Sequence, residues 1–139
     1  MNEASFETPP VTSASPRIAQ EWVSPRLKPL LREIVIEAAR YASQRWAWVF
    51  FFTCIFRSFA EDIALEGHGV HPAWRAVDVR TFDQKPDAVA DVVEWVNAQW
   101  IYDPARPALV VAYAKPHGTG PHIHFQVSSA TTPKKSAVS

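Results

Sequence analysis

Five histidines, His68, His71, His117, His122 and His124, fall in two short windows of the chain, where random placement would scatter them. Clustered imidazoles point to a metal or an acid–base site, because neutral imidazole is a common metal ligand and its charge changes near neutral pH. In the first window His71 precedes the turn-like run Pro72-Ala73-Trp74, and Asp78 follows within an alternating stretch. A loop histidine and a strand carboxylate at that separation can converge on one ion. In the second window His122 and His124 stand two apart on a segment of strand character, so both side chains point to the same face. A His/His/Asp donor set suits zinc, which in catalytic sites takes three protein ligands and keeps a fourth position for water. One histidine is then left over to handle protons beside that water.

Elements of defined type must position these groups. Ser24-Pro25 reads as an N-cap and first helical residue, and Leu27, Leu30, Leu31, Ile34, Ala38 and Tyr41 recur at helical spacing, predicting an amphipathic helix over 25–44. The aromatic and β-branched run 48–56 predicts a buried strand that delivers Arg57-Ser58 to an edge or cleft. A short helical segment is expected over 60–65 and a second strand over 75–80. Pro86 opens a helix through Trp100, with Val89, Val92, Val93 and Val96 on one side. Strands follow over 108–114 and 122–127, joined by the Gly/Pro loop 115–121 that carries His117. Cys54, the single cysteine, lies within the apolar run and reads as a buried, inert thiol. His68, flanked by Gly67 and Gly69, reads as a rim residue of a loop, and His117 as an exposed one.

The order of these motifs resembles the M15-type D-alanyl-D-alanine carboxypeptidases and L-alanyl-D-glutamate endopeptidases, which share a zinc architecture with the lysostaphin and hedgehog domains. That family carries S-x-H-x-x-G-x-A-x-D, a later H-x-H, and an upstream aromatic-Arg-Ser/Thr. The matching text here is Gly69-Val70-His71-Pro72-Ala73-Trp74-Arg75-Ala76-Val77-Asp78, then His122-Ile123-His124, with Phe56-Arg57-Ser58 upstream. The likeness spans roughly residues 25–128. It implies His71, Asp78 and His124 as zinc ligands, His122 as the catalytic or transition-state-stabilising histidine, and Arg57 beside the substrate, holding a carboxylate or an oxyanion. The implied reaction is amide hydrolysis in a peptidoglycan stem peptide. The chain departs from the pattern at Gly69, where the family has Ser, and at Trp74, where it has Gly. Some relatives also place an acidic residue where Pro121 stands, which leaves proton handling to His122.

Bulk properties limit the alternatives. The 139 residues suit one compact domain. Fourteen basic residues balance fourteen acidic ones, so nothing suggests a nucleic-acid or anionic-membrane partner. The apolar run around Phe50–Phe52 is too short to span a bilayer as a helix. The start of the sequence lacks a basic segment followed by an apolar one, so no secretory signal is read, and a protein made in the cytoplasm would reach a cell wall by another route.

The expected architecture is α+β: a small antiparallel sheet carrying a zinc site on one face, with helices packed on the other, in the manner of the hedgehog and DD-peptidase domains. Residues 1–23 are expected to form an extended arm with Phe6, Ile18 and Trp22 as docking points for a protein partner. Residues 24–128 form the zinc domain, and 129–139 a fraying tail. The resemblance and the missing signal together suggest a phage or prophage enzyme that acts on the wall after release or as part of a virion. The alternative is a non-catalytic zinc-binding structural or virion assembly protein on the same fold.

Overall fold

A computed structural model describes residues 9–65, 67–116 and 120–134. Its elements in chain order are β1 (Val11–Ser13), α1 (Pro16–Trp22), α2 (Pro29–Trp46), β2 (Phe50–Cys54), α3 (Phe59–Ala64), β3 (Ala76–Arg80), α4 (Pro86–Gln99), β4 (Trp100–Ile101), β5 (Ala112–Lys115), β6 (His122–Gln126) and β7 (Thr132–Pro133). Five strands form one sheet in the order β1-β2-β3-β6-β5, and β4 and β7 pair separately. Helices packed on a sheet make this an α+β protein, but the sheet is mixed rather than antiparallel throughout. The pairs β2–β3, β3–β6 and β5–β6 are antiparallel, whereas β1 runs parallel to β2.

The strand alternation divides the sheet chemically. Phe50, Phe52, Val77, Val79, Ile123 and Phe125 join Leu31, Ile34, Val35 and Ala38 of α2 and Val92 and Val96 of α4 in one buried core. Their neighbours in sequence, Asp78, His122, His124 and Gln126, therefore project from the opposite face. Asp91 ties the two long helices together: its carboxylate accepts from Tyr41 Oη at 3.0 Å and Trp46 Nε1 at 2.8 Å. The edge at β5 is closed locally by Asn97 of α4, whose amide exchanges two hydrogen bonds with the Ala112 backbone, at 2.7 and 3.0 Å. That satisfies edge groups which would otherwise invite another strand.

The strand expected over 108–114 is confined to Ala112–Lys115, and three further segments differ from the sequence expectation. The stretch read as an extended arm supplies β1 and α1, with Ser15 capping α1 by accepting from Ile18 N–H at 3.2 Å. Ile18 and Trp22 pack on the core instead of standing free, and the Trp22 ring lies 4.5 Å from that of Phe52. Phe6 lies outside the described residues. The first long helix begins at Pro29 rather than at Ser24-Pro25. A helix running through from 25 would set the Pro29 ring against the Pro25 carbonyl and forfeit a hydrogen bond, whereas Pro is well suited to the first helical position. The Ser24 carbonyl instead accepts from Leu27 N–H at 3.2 Å and from Arg32 Nη2 at 2.7 Å. The polar tail does not fray at 128: Ser128 Oγ and Thr131 Oγ1 both donate to the Tyr102 carbonyl at 2.8 Å, and β7 pairs with β4.

Candidate metal centre

Register brings the site together. Asp78 is directly opposite His124 in the β3–β6 ladder, and Arg80 is opposite His122. On the far side of β3, the β2 pairing slips between Phe52 and Cys54, so that Cys54 rather than Thr53 faces Asp78. Such a bulge re-aims a side chain, and here it brings the thiol to the polar face.

His71 arrives from the loop before β3. Its turn is closed by Trp74 N–H to the His71 carbonyl at 3.0 Å and by Arg75 N–H to the Val70 carbonyl at 2.9 Å. Both departures from the family pattern fall in this loop at left-handed backbone: Gly69 has φ 84 and Trp74 φ 59. At Gly69 a serine would pay a steric cost that glycine does not. At Trp74 the conformation is the one glycine favours, and the side chain stacks on Phe56 with ring centroids 4.7 Å apart. Asp62 of α3 anchors the loop start. It accepts from Gly69 N–H at 2.8 Å and from Arg57 Nε at 2.7 Å.

The donor atoms converge with their lone pairs facing inward. His71 Nδ1–H donates to the Ile55 carbonyl at 2.9 Å, which leaves Nε2 as the lone-pair nitrogen, 3.3 Å from Asp78 Oδ1. This Nε2 is fully buried and has no hydrogen-bond partner among the described residues. On His124, Nε2–H donates to Gln126 Oε1 at 3.1 Å, and Gln126 Nε2 in turn donates to the Val110 carbonyl at 3.0 Å, which fixes the amide orientation. That leaves His124 Nδ1 aimed at Asp78 Oδ1, 2.9 Å away. Two imidazole lone pairs against one carboxylate oxygen repel unless a positive charge lies among them. The 3.3 Å separation matches roughly 3.3 Å expected between tetrahedral ligands each about 2.0 Å from one ion. Both imidazoles also carry the outer hydrogen-bond partner that metal-binding histidines ordinarily have. The residues therefore fit a zinc-sized cation.

The electrostatics agree with a site that favours positive charge. Burial would push the Asp78 carboxyl up, but the His124 and His71 imidazoles held against it outweigh that and keep the carboxyl well below the usual range. Burial pulls His71 down, yet Asp78 and Cys54 together raise it to about 10, so a proton on Nε2 answers the same need for positive charge and a metal ion binds there by displacing it. For His124 burial wins over Asp78 and its pKa falls below the usual value.

His122 stands beside this set. Its Nδ1–H donates to the Gly120 carbonyl at 2.8 Å, and its Nε2 is 3.7 Å from Asp78 Oδ2, too far for a hydrogen bond. Cys54, His71 and Asp78 also offer ligand atoms that all lie within 4.8 Å of one another. Cys54 Sγ, however, faces His71 Nδ1 at 3.6 Å, the nitrogen already committed to Ile55, so the orphaned Nε2 defines the better-formed set. The thiol expected to be inert in the core is half-buried and touches a candidate ligand.

Of the residues singled out by sequence, the structure brings His71, Asp78, His122 and His124 together. Arg57 is held by Asp62 and lines a hollow of ≈ 220 Å³ with Cys54, Phe56 and Glu61. His68 is exposed and lines a cleft of ≈ 530 Å³ that reaches Tyr113 and Gln126. His117 lies outside the described residues. Sequence reasoning missed Gln126, which strand alternation from His124 would have placed on the same face, and Cys54, whose bulge left no sequence signal.

In comparisons with known proteins, no family model, no curated protein and no solved structure matches the chain. Among the described residues, no helix is long and apolar enough to cross a membrane.

Proposed function

We propose that the protein is a zinc-dependent peptidase that hydrolyses amide bonds in peptidoglycan stem peptides. The observation that carries this reading is the convergence of His71 Nε2, Asp78 Oδ1 and His124 Nδ1, with the first of these buried and unpartnered. Zinc held by these three atoms supplies Lewis-acid polarisation of a carbonyl and a more acidic water. The chain's own residues do the rest. Ile55 and Gln126 hold the two ligand imidazoles in the required tautomers. Gly120 fixes the proton on His122 Nδ1, so that Nε2 is the atom free to accept a proton from the attacking water and pass it to the leaving amine. Burial of Asp78, His71 and His124 keeps bulk water from weakening these interactions.

The motif order supports peptidoglycan as the substrate, and a phage or prophage origin, acting on the wall after release or within a virion, follows from the same likeness. The test is zinc content of the purified protein together with turnover of purified peptidoglycan, with His122→Ala as control. One zinc per chain and release of stem-peptide fragments that the variant does not produce is the expected result. One zinc per chain without turnover favours a second reading, a non-catalytic zinc protein on this fold. The observation on its side is that Asp62 neutralises Arg57, the arginine the motif assigns to substrate. No zinc at all would sink both.

A further inference from the structure

The cleft of ≈ 530 Å³ beside the metal set is lined by His68, Arg75, Tyr102, Arg106, Tyr113 and Gln126, with apolar Val70 and Val110. Among the described residues no carboxylate lines it. An adjoining hollow of ≈ 590 Å³ shares Arg75 and Arg106, adds Lys28, and likewise has no acidic residue among the described ones. The cleft connects to the ligands through two side chains. Gln126 Oε1 accepts from His124 at 3.1 Å, and the Tyr113 ring centroid is 5.0 Å from that of His124.

Arg75 sits half-buried between the two cavities. One terminal nitrogen donates to the Val127 carbonyl at 2.9 Å and the Tyr102 hydroxyl at 3.4 Å, and no carboxylate among the described residues pairs with the guanidinium. Among the described residues its charge is uncompensated and its remaining N–H groups are uncommitted. Arg106 adds a second positive charge, partly offset by Asp103 at 2.8 Å, with its guanidinium 5.4 Å from the centre of the Tyr102 ring. Arg57, in contrast, is spent on Asp62.

We propose that this cleft is a subsite for a carboxylate-bearing residue of the peptide whose amide lies at the metal, with Arg75 as the carboxylate contact and Arg106 strengthening the field. An arginine fork matches a carboxylate in plane and spacing, and charge-assisted bonds of this kind exceed neutral ones. The subsite rests on the peptidase reading for its substrate but not for its chemistry, which is recognition alone.

The test is calorimetric binding to the zinc-loaded, full-length H122A protein, so that no peptide is consumed. The probes are L-Ala-γ-D-Glu-L-Lys-D-Ala with free carboxyls and the same peptide with every carboxyl converted to carboxamide. The free acid should bind about tenfold tighter. Adding Arg75→Gln and Arg106→Ala should cut that preference to about twofold with zinc content unchanged, because zinc's own attraction for carboxylates persists. Arg75→Lys should retain most of it. Equal binding of the two peptides, or a preference untouched by the double substitution, overturns the proposal. If Arg75→Gln fails to fold, the exposed R106E must by itself lower the preference about threefold, and no change there is equally fatal. A preference that behaves as described, alongside wild-type protein that releases nothing from peptidoglycan, would remove the peptidase reading and leave the subsite standing.

Discussion

Asp78 and His124 face each other across the β3–β6 ladder, and their side chains meet at 2.9 Å with the carboxylate oxygen against the imidazole nitrogen that Gln126 leaves unprotonated. The same oxygen lies 3.3 Å from His71 Nε2. Asp78 is thus the hub of the set, and Asp78→Asn replaces the one anionic donor with a neutral amide of nearly equal size. Zinc affinity should fall more than about a hundredfold, beyond what loss of an outer partner causes. Competition against a chromophoric chelator measures this, and an unchanged affinity would mean that the metal, if bound, sits elsewhere, for instance toward Cys54.

Gln126 tests the outer ring of partners. It touches no candidate ion, yet it accepts from His124 Nε2–H and is itself fixed by the Val110 carbonyl. Gln126→Leu should weaken zinc binding by about 10–100-fold while leaving the far-ultraviolet circular dichroism of the zinc-loaded protein unchanged. If affinity stays within about twofold, His124 is not oriented through Gln126 and its Nδ1 is not the donor.

Much of this arrangement was legible in the residues. Alternation along Ala76–Arg80 and His122–Gln126 was enough to put Asp78, His122 and His124 on the face opposite the core, because the period of a strand is fixed by the backbone. Three things were not legible. The arm's Val11–Ser13 pairs in parallel with β2, a non-local contact that no local pattern announces. The bulge at Thr53 turns Cys54 toward His71, and one inserted residue reverses the face that simple alternation assigns. Asp62 claims Arg57 through α3, whose capping box of Ser58 and Glu61 is a local signal but whose buried Asp62 has no partner visible in sequence.

At Trp74 the usual stability advantage of alanine over glycine is inverted. Its φ of 59 penalises any residue with a Cβ, while its ring stacks on Phe56. Removing the ring costs the stack, about 0.5–1.5 kcal/mol beyond simple burial, in both Trp74→Ala and Trp74→Gly. Alanine also keeps the left-handed strain of about 1–2 kcal/mol that glycine relieves. Both variants should therefore be less stable than wild type, but Trp74→Gly should exceed Trp74→Ala by about 1 kcal/mol. Urea unfolding of the three proteins decides it: alanine equal to or above glycine would show that the loop relaxes out of this conformation.

The buried carboxylate that anchors the metal loop predicts how the fold responds to acid. Burial of Asp62 would raise its carboxyl pKa, but the Arg57 guanidinium at 2.7 Å and the Gly69 N–H at 2.8 Å outweigh it, so it titrates below the ordinary 3.8. Because the folded value is depressed, the unfolded chain takes up this proton first. The resulting stability is fully present above the unfolded value and is lost as pH falls through the folded one. Asp62→Asn leaves Arg57 buried without its counter-charge and should cost about 3 kcal/mol at pH 7. The gap between wild type and variant should then narrow steadily as the pH drops below about 4. Gly67→Ala should act in the same direction, since a Cβ at Gly67 would overlap the Asp62 carboxylate and dislodge it. Unfolding free energies measured from pH 7 down to about 2.5 check the sign. Curves for wild type and Asp62→Asn that stay parallel to the lowest pH would mean that Asp62 has the same pKa folded and unfolded, that Arg57 does not hold it, and that Arg57 remains free to serve the substrate.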